Sequence, residues 1–177
     1  MHYTAEYESP LGSILLASDG EALTGLWFKG QKYFALYLDA EHEERELPVF
    51  REAARWLDRY FEGRAPGPLP PVHFTGTPFQ NEIWGLLAEI PYGQTRTYGD
   101  LAAEYARRHG LARMSAQAVG GAVGRNEVSV IVPCHRVVGA SGSLTGYAGG
   151  IDKKVALLKL EGALDEGFFV PKHSTAP

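Results

Sequence analysis

The chain has 177 residues, 45% of them hydrophobic, and a formal net charge of −4. That is the composition of a globular protein large enough for one or two small domains, each with a buried core. No apolar run approaches the roughly 20 residues of a membrane-spanning helix, and Met1 to Tyr7 lacks the basic-then-apolar pattern of an export signal.

Charge is unevenly spread. Residues 1–75 carry 7 basic and 12 acidic side chains, whereas 76–177 carry 10 and 9. Arg96, Arg107, Arg108, Arg113, Arg125 and Arg136 fall in one stretch with only three acids. Such a stretch is either a solvated face or a nucleic-acid contact, and charge alone leaves both open.

In chain order, alternation at Tyr3–Tyr7, a short apolar run at Ile14–Ala17 and the run Leu23–Phe28 predict three strands. Asp19-Gly20 is a hairpin signal between the last two. From Pro48 to Phe61, Phe50, Ala53, Ala54, Leu57, Tyr60 and Phe61 recur at helical spacing. Gly63–Pro71, with four prolines and two glycines, reads as a linker. A boundary near residue 75 therefore divides an N-terminal α/β domain, 1–75, from a second domain, 76–170, with the linker at about 63–78 and a tail at 171–177.

The second half reads as mostly helical. Phe79, Ile83, Trp84 and Leu87 share a face, and Pro91-Tyr92-Gly93 ends that helix. Thr97 is a candidate cap for a helix from Tyr98 to about Arg108 with Leu101, Ala102 and Tyr105 inward, stopped by Gly110. Ser115 can cap another from Ala116 to about Val123, with Val119 inward. Val128–Val132 reads as extended, and Asp152 as the cap of a last helix carrying Val155, Leu158 and Leu160. Two short helices around a break suggest helix-turn-helix, a pattern also common among helix pairs that never meet DNA. No internal repeat is visible.

Cys134 is the only cysteine, so it can form neither an internal disulfide nor a cysteine-rich metal site. One unpaired thiol without an export signal points to a reducing cytoplasm. An isolated cysteine is commonly just a small buried hydrophobe. If Cys134 does chemistry, it acts as a thiolate nucleophile, and the neighbouring His135 and Arg136 are groups that support one.

Three strings carry a resemblance. They are Ile90-Pro91-Tyr92-Gly93-Gln94-Thr95-Arg96-Thr97-Tyr98-Gly99-Asp100-Leu101-Ala102, then Ala118-Val119-Gly120-Gly121-Ala122-Val123-Gly124-Arg125-Asn126, then Ile131-Val132-Pro133-Cys134-His135-Arg136-Val137-Val138 with Gly142 to Gly150 after it. In this order they closely resemble the O6-alkylguanine-DNA alkyltransferases, over essentially all of residues 77–162. The resemblance implies an α+β protein: a small N-terminal ribonuclease H-like sheet and helix domain, and a C-terminal helical domain with a winged helix-turn-helix. It implies DNA repair by irreversible, single-turnover transfer of an alkyl group from O6-alkylguanine, and less readily O4-alkylthymine, to Cys134.

The resemblance also assigns roles. His135 acts as base through a water and is oriented by Glu161; Asn126 shapes the segment leading to Cys134. Tyr98 donates toward guanine N3, Tyr147 walls the pocket, the Val137 backbone accepts from the exocyclic amine, and the Ala148 N–H faces O6. Ser115, Ala116, Gln117, Gly120, Arg113, Arg125 and Arg136 fall where DNA is contacted. The expected partner is double-stranded DNA, held by a monomer through its minor groove with the alkylated base flipped out. Gln117 stands where the family commonly has arginine, and the Ala106–Met114 loop is longer than in many relatives. Human members of the family bind zinc through N-domain cysteines and histidines. Here there is no second cysteine, and His2, His42 and His73 form no ligand-spaced set, so the expectation is no metal and no cofactor.

Overall fold

The computed structural model describes residues 1–172; of the tail placed at 171–177, all but the first two residues lie outside the described residues. The chain forms two compact units. The first comprises Met1–Thr75 together with Glu127–Ile131, and the second Gly76–Asn126 with the chain from Val132 onward.

In the first unit, β1 (His2–Ser9), β2 (Gly12–Ser18), β3 (Leu23–Phe28) and β4 (His42–Glu44) form a sheet in the order β3-β2-β1-β4. β1–β2 and β2–β3 are antiparallel; β4 runs parallel to β1, with His2 opposite His42. Helix α1 (Pro48–Phe61) packs on β1 and β2. Its inward face, Ala53, Trp56, Leu57 and Tyr60, is buried, as are Ile14 and Leu16 of β2, and Trp56 stacks on Tyr60 at 5.4 Å. β4 escapes prediction because His42-Glu43-Glu44 is wholly exposed and has no apolar side to read.

All six residues of β3 are buried although it is an edge strand. Its free backbone is covered by two segments. Leu23 N–H donates to Pro71 O and His73 N–H to Leu23 O; Leu26 N–H donates to Glu127 O and Ser129 N–H to Leu26 O. Covering an edge in this way satisfies groups that would otherwise template another chain. It also corrects two expectations. The proline-rich stretch is pinned, with Trp56 Nε1 on Gly67 O and Arg59 on Pro66 O. Val128–Val132 is not extended but turns, and Val130 takes φ +68°, a left-handed conformation that costs a β-branched residue about 1–3 kcal/mol. Burial of Val128, Val130 and Ile131 offsets that cost.

The second unit is built from α2 (Pro78–Ala88), α3 (Tyr98–Arg108), α4 (Ala116–Gly124) and α5 (Ile151–Leu160), with a short parallel pair β5 (Arg96–Thr97) and β6 (Val137–Val138). Caps set the starts. Thr77 with Gln80 and Thr97 with Asp100 form reciprocal capping boxes, and Ser115 Oγ accepts from Ala118 N–H. Trp84 Nε1 donates to Ala122 O at 2.8 Å, locking α2 to α4. Tyr105 is only half-buried, lying against Phe79 and His109. Asp152 is not the cap of α5: Gly150 holds that place at φ +100°, and Asp152 lies in the first turn. No described helix is long and apolar enough to cross a membrane.

Candidate active site

Cys134 opens a short 3-10 turn, Cys134–Arg136, that delivers the chain into β6. Two features hold it there. Asn126, just beyond α4, donates its side-chain N–H to Val132 O at 2.8 Å, and its amide also hydrogen-bonds the thiol. Cys134 N–H donates to Val132 O. The thiol is buried, and burial pushes its pKa up against the opposing pull of Asn126, the Lys154 charge and local backbone N–H groups.

His135 follows, with a fully buried ring. Its Nε2 lies 2.5 Å from Glu161 Oε2, at the C-terminal end of α5. Glu161 also accepts from Arg136 Nε at 2.7 Å and Gly93 N–H at 3.0 Å. Burial raises the Glu161 pKa, but His135 and Arg136 together outweigh it and hold the carboxyl at about 2. Burial lowers the pKa of His135 despite the carboxylate beside it, so the imidazole is an available proton acceptor. With Nε2–H given to Glu161, the tautomer leaves Nδ1 as the basic nitrogen.

Around this core, Tyr98 OH donates to Thr145 O at 3.0 Å, and burial pushes the phenol up to about 12, so it is a neutral donor. Tyr147 is buried and meets the His135 ring edge-on at 6.4 Å. Val137 O accepts from Lys154 Nζ at 2.6 Å. Ala148 is half-buried beside Tyr147 in sequence.

Residues 1–69 match the family described as 6-O-methylguanine DNA methyltransferase, ribonuclease-like domain, and residues 78–163 its DNA binding domain. The chain belongs to this family. A methylated-DNA--protein-cysteine methyltransferase of Methanosarcina acetivorans is 48% identical over 162 residues, 91% of this chain and 99% of that protein. One of the same name from Haemophilus influenzae is 41% identical, covering 90% of this chain and 86% of its own. The crystal structure of Mycobacterium tuberculosis OGT in complex with DNA superposes with a TM-score of 0.76 at 38% identity, covering 97% and 95% of the two chains.

Within this methyltransferase fold the sequence-predicted residues separate into two groups. Cys134, His135, Glu161, Asn126, Tyr98, Tyr147 and Val137 belong to the buried network above. Ser115, Ala116, Gln117, Arg113 and Arg125 are exposed and Gly120 half-buried, around α4 and its ends. Arg136 is a correction. It is 5% exposed, ion-paired to Glu161, bonded to Ile90 O at 2.7 Å and set over the Tyr92 ring, so its charge is not available to a phosphate. Sequence reasoning missed Gly93, whose φ of +77° aims its N–H at Glu161, and Lys154. Among the described residues, no cluster of three or more His, Cys, Asp or Glu side chains could hold a metal ion.

Proposed function

We propose that this protein repairs DNA by direct damage reversal, moving an alkyl group from O6 of guanine, and less readily from O4 of thymine, irreversibly to Cys134. The observation that carries the reading is the His135–Glu161 pair, buried next to the one thiol in a chain of this family. The thiol gives its proton, through a water, to His135 Nδ1, and Glu161 stabilises the imidazolium that results. The thiolate attacks the alkyl carbon in line. An S–C bond forms, the C–O6 bond breaks, and the electron pair stays on the guanine. Tyr98 turns its O–H from Thr145 O to ring N3 and relieves that charge. Tyr147 walls the base, while the Val137 carbonyl and the Ala148 N–H read its edge. The thioether is stable, so each molecule acts once.

DNA is the partner, bound by a monomer. The exposed face Ser115–Gln117 with Gly120 enters the minor groove, and the target nucleotide rotates out of the stack to reach the buried sulfur. Arg113 and Arg125 supply phosphate contacts, and Gln117 fills the space the base leaves. A free thiol suits a reducing cytoplasm. No step requires a metal or cofactor.

Incubation with duplex DNA containing O6-methylguanine, followed by intact mass measurement, tests the reading. The expected result is gain of one methyl in place of one hydrogen, mapped to Cys134 and abolished by Cys134→Ala. Unchanged mass with tight lesion binding would instead identify a lesion-binding protein that transfers nothing.

A further inference from the structure

Beyond Glu161 the chain turns back to the loop that follows Cys134. Gly162 leaves α5 at φ +68°, and Ala163 N–H donates to Leu158 O. Asp165 then builds a turn: its carboxylate accepts from Gly167 N–H at 2.8 Å and its carbonyl from Phe168 N–H at 3.0 Å. After the turn the chain pairs with the loop, Phe169 opposite Ser143. Leu144 N–H donates to Phe169 O at 2.8 Å, and Phe169 N–H to Gly142 O at 3.0 Å. The half-buried Phe168 packs on the buried cluster Val138, Leu144 and Leu158, whereas Phe169 is 48% exposed. The approach is close at Gly142, which holds φ +87°: a Cβ there would lie 2.6 Å from Gly167 O.

We propose that Asp165–Phe169 is a strap that sets how far the wall of the base pocket can retreat, and so determines which alkyl groups the site accepts, with Phe168 as its positioning residue. The inference rests on the alkyl-transfer reading, in which this loop walls the pocket. The loop leaves β6, closes a tight turn with Gly142 N–H on Gly139 O and Gly139 N–H on Ser143 O, and presents Tyr147 three residues after Leu144. With the loop in this position Cys134 is 6% exposed. A base therefore reaches the sulfur only where Tyr147 and Ala148 give way, and a larger group at O6 requires a larger retreat. Two grips oppose it. Tyr98 and Lys154 hold the Thr145 carbonyl, and the strap holds Gly142 and Leu144 beside it. The strap is the grip that uses no residue of the reacting site. A pair of backbone hydrogen bonds and one half-buried ring at a surface open locally, without global unfolding. A methyl group needs little room and is transferred with the strap closed. A benzyl group needs room for a ring, so its transfer is reduced by the fraction of molecules whose strap is open.

Two variants loosen the contact from opposite sides. Phe168→Ala removes the ring, and Gly142→Ala sets a methyl group against Gly167 O. Phe169→Ala is the control, because its backbone bonds remain and its side chain faces solvent. Transfer is timed on two duplexes of one sequence, one holding O6-methylguanine and the other O6-benzylguanine. Phe168→Ala and Gly142→Ala should each raise the benzyl-to-methyl rate ratio by about tenfold or more, with Phe169→Ala within about twofold of the parent. Iodoacetamide should also modify Cys134 faster in the first two, a readout that needs no DNA. A general loss of folded protein or of DNA affinity slows both duplexes alike and leaves the ratio unmoved. A parental ratio in Phe168→Ala overturns the proposal and makes the segment a structural cover for Val138 and Leu144. Should Phe168→Ala not fold, Gly142→Ala decides alone. Failure of the alkyl-transfer reading is distinct: the parent itself would then transfer neither group, while the iodoacetamide comparison still decides whether the strap governs access to the sulfur.

Discussion

At the residue scale the strongest coupling is at Glu161, whose carboxylate takes three donors in a site closed to water. Glu161→Gln keeps the shape and removes the charge, leaving Arg136 buried without a counter-ion. Breaking such a pair costs about 3–5 kcal/mol, so denaturant unfolding at neutral pH should show a loss of that size. Transfer should slow as well, because the amide no longer stabilises imidazolium. The pH dependence has a defined sign. Glu161 holds its proton less tightly folded, at about 2, than at its ordinary value of 4.5. The unfolded chain therefore binds more protons between those values, and the stabilisation is complete above about pH 4.5 and lost as pH falls toward 2. The stability gap between parent and Glu161→Gln should narrow across that window; a gap constant down to pH 3 would exclude this account. Cys134 and His135 were legible because a lone thiol beside imidazole is chemically conspicuous. Arg136 was misread because an arginine next to a nucleophile looks the same in sequence whether it faces a phosphate or a buried carboxylate. Lys154 was hidden in Asp152-Lys153-Lys154, although its three- and four-residue spacing to Leu157 and Leu158 placed it on the apolar face.

At the element scale, α3 and α4 begin and end within a residue or so of where their caps predict, since Thr97 and Ser115 both satisfy otherwise orphaned N–H groups. Ser115→Ala should cost about 1 kcal/mol through the lost bond to Ala118 N–H. The loop between the helices, with Leu111 and Arg113, lines an open cleft of about 360 Å³ together with Arg107 and other residues of α3. Arg113 is exposed and sits two residues before the α4 cap, where a phosphate would meet both guanidinium and helix N-terminus. If it contacts a phosphate, Arg113→Ala should weaken binding to every DNA sequence and lower the slope of log affinity against log salt by about 1. Gln117→Arg should act in the opposite direction, tightening binding and steepening the slope. An unchanged slope for Arg113→Ala would remove the longer loop from the DNA contact. What the pattern could not show was β4, since a three-residue exposed strand is defined by its partner β1 rather than by its own side chains.

At the scale of the whole molecule, the route of the chain between α4 and Cys134 carries a consequence for stability. Glu127–Ile131 leaves the second unit's sequence and closes the open edge of β3, through Leu26 N–H to Glu127 O and Ser129 N–H to Leu26 O. A linear sequence reading assigned these residues to the 76–170 domain, because an apolar run of five does not announce which sheet edge it covers. The segment brings Val128, Val130 and Ile131 into the first unit's core, each worth about 1.5–3 kcal/mol when fully buried. A fragment beginning at residue 76 has no β3, so it exposes those three side chains and releases Val130 from its strained φ. Three residues further on stands Cys134, whose position depends on the Asn126-to-Val132 hydrogen bond spanning this segment. The fragment should therefore melt well below the full chain, aggregate more readily, and transfer alkyl groups at a small fraction of the full chain's rate. Supplying residues 1–75 as a separate chain should recover part of both losses by restoring the β3 edge. A fragment with the full chain's melting temperature and rate would show that the reactive segment is shaped by its own unit alone.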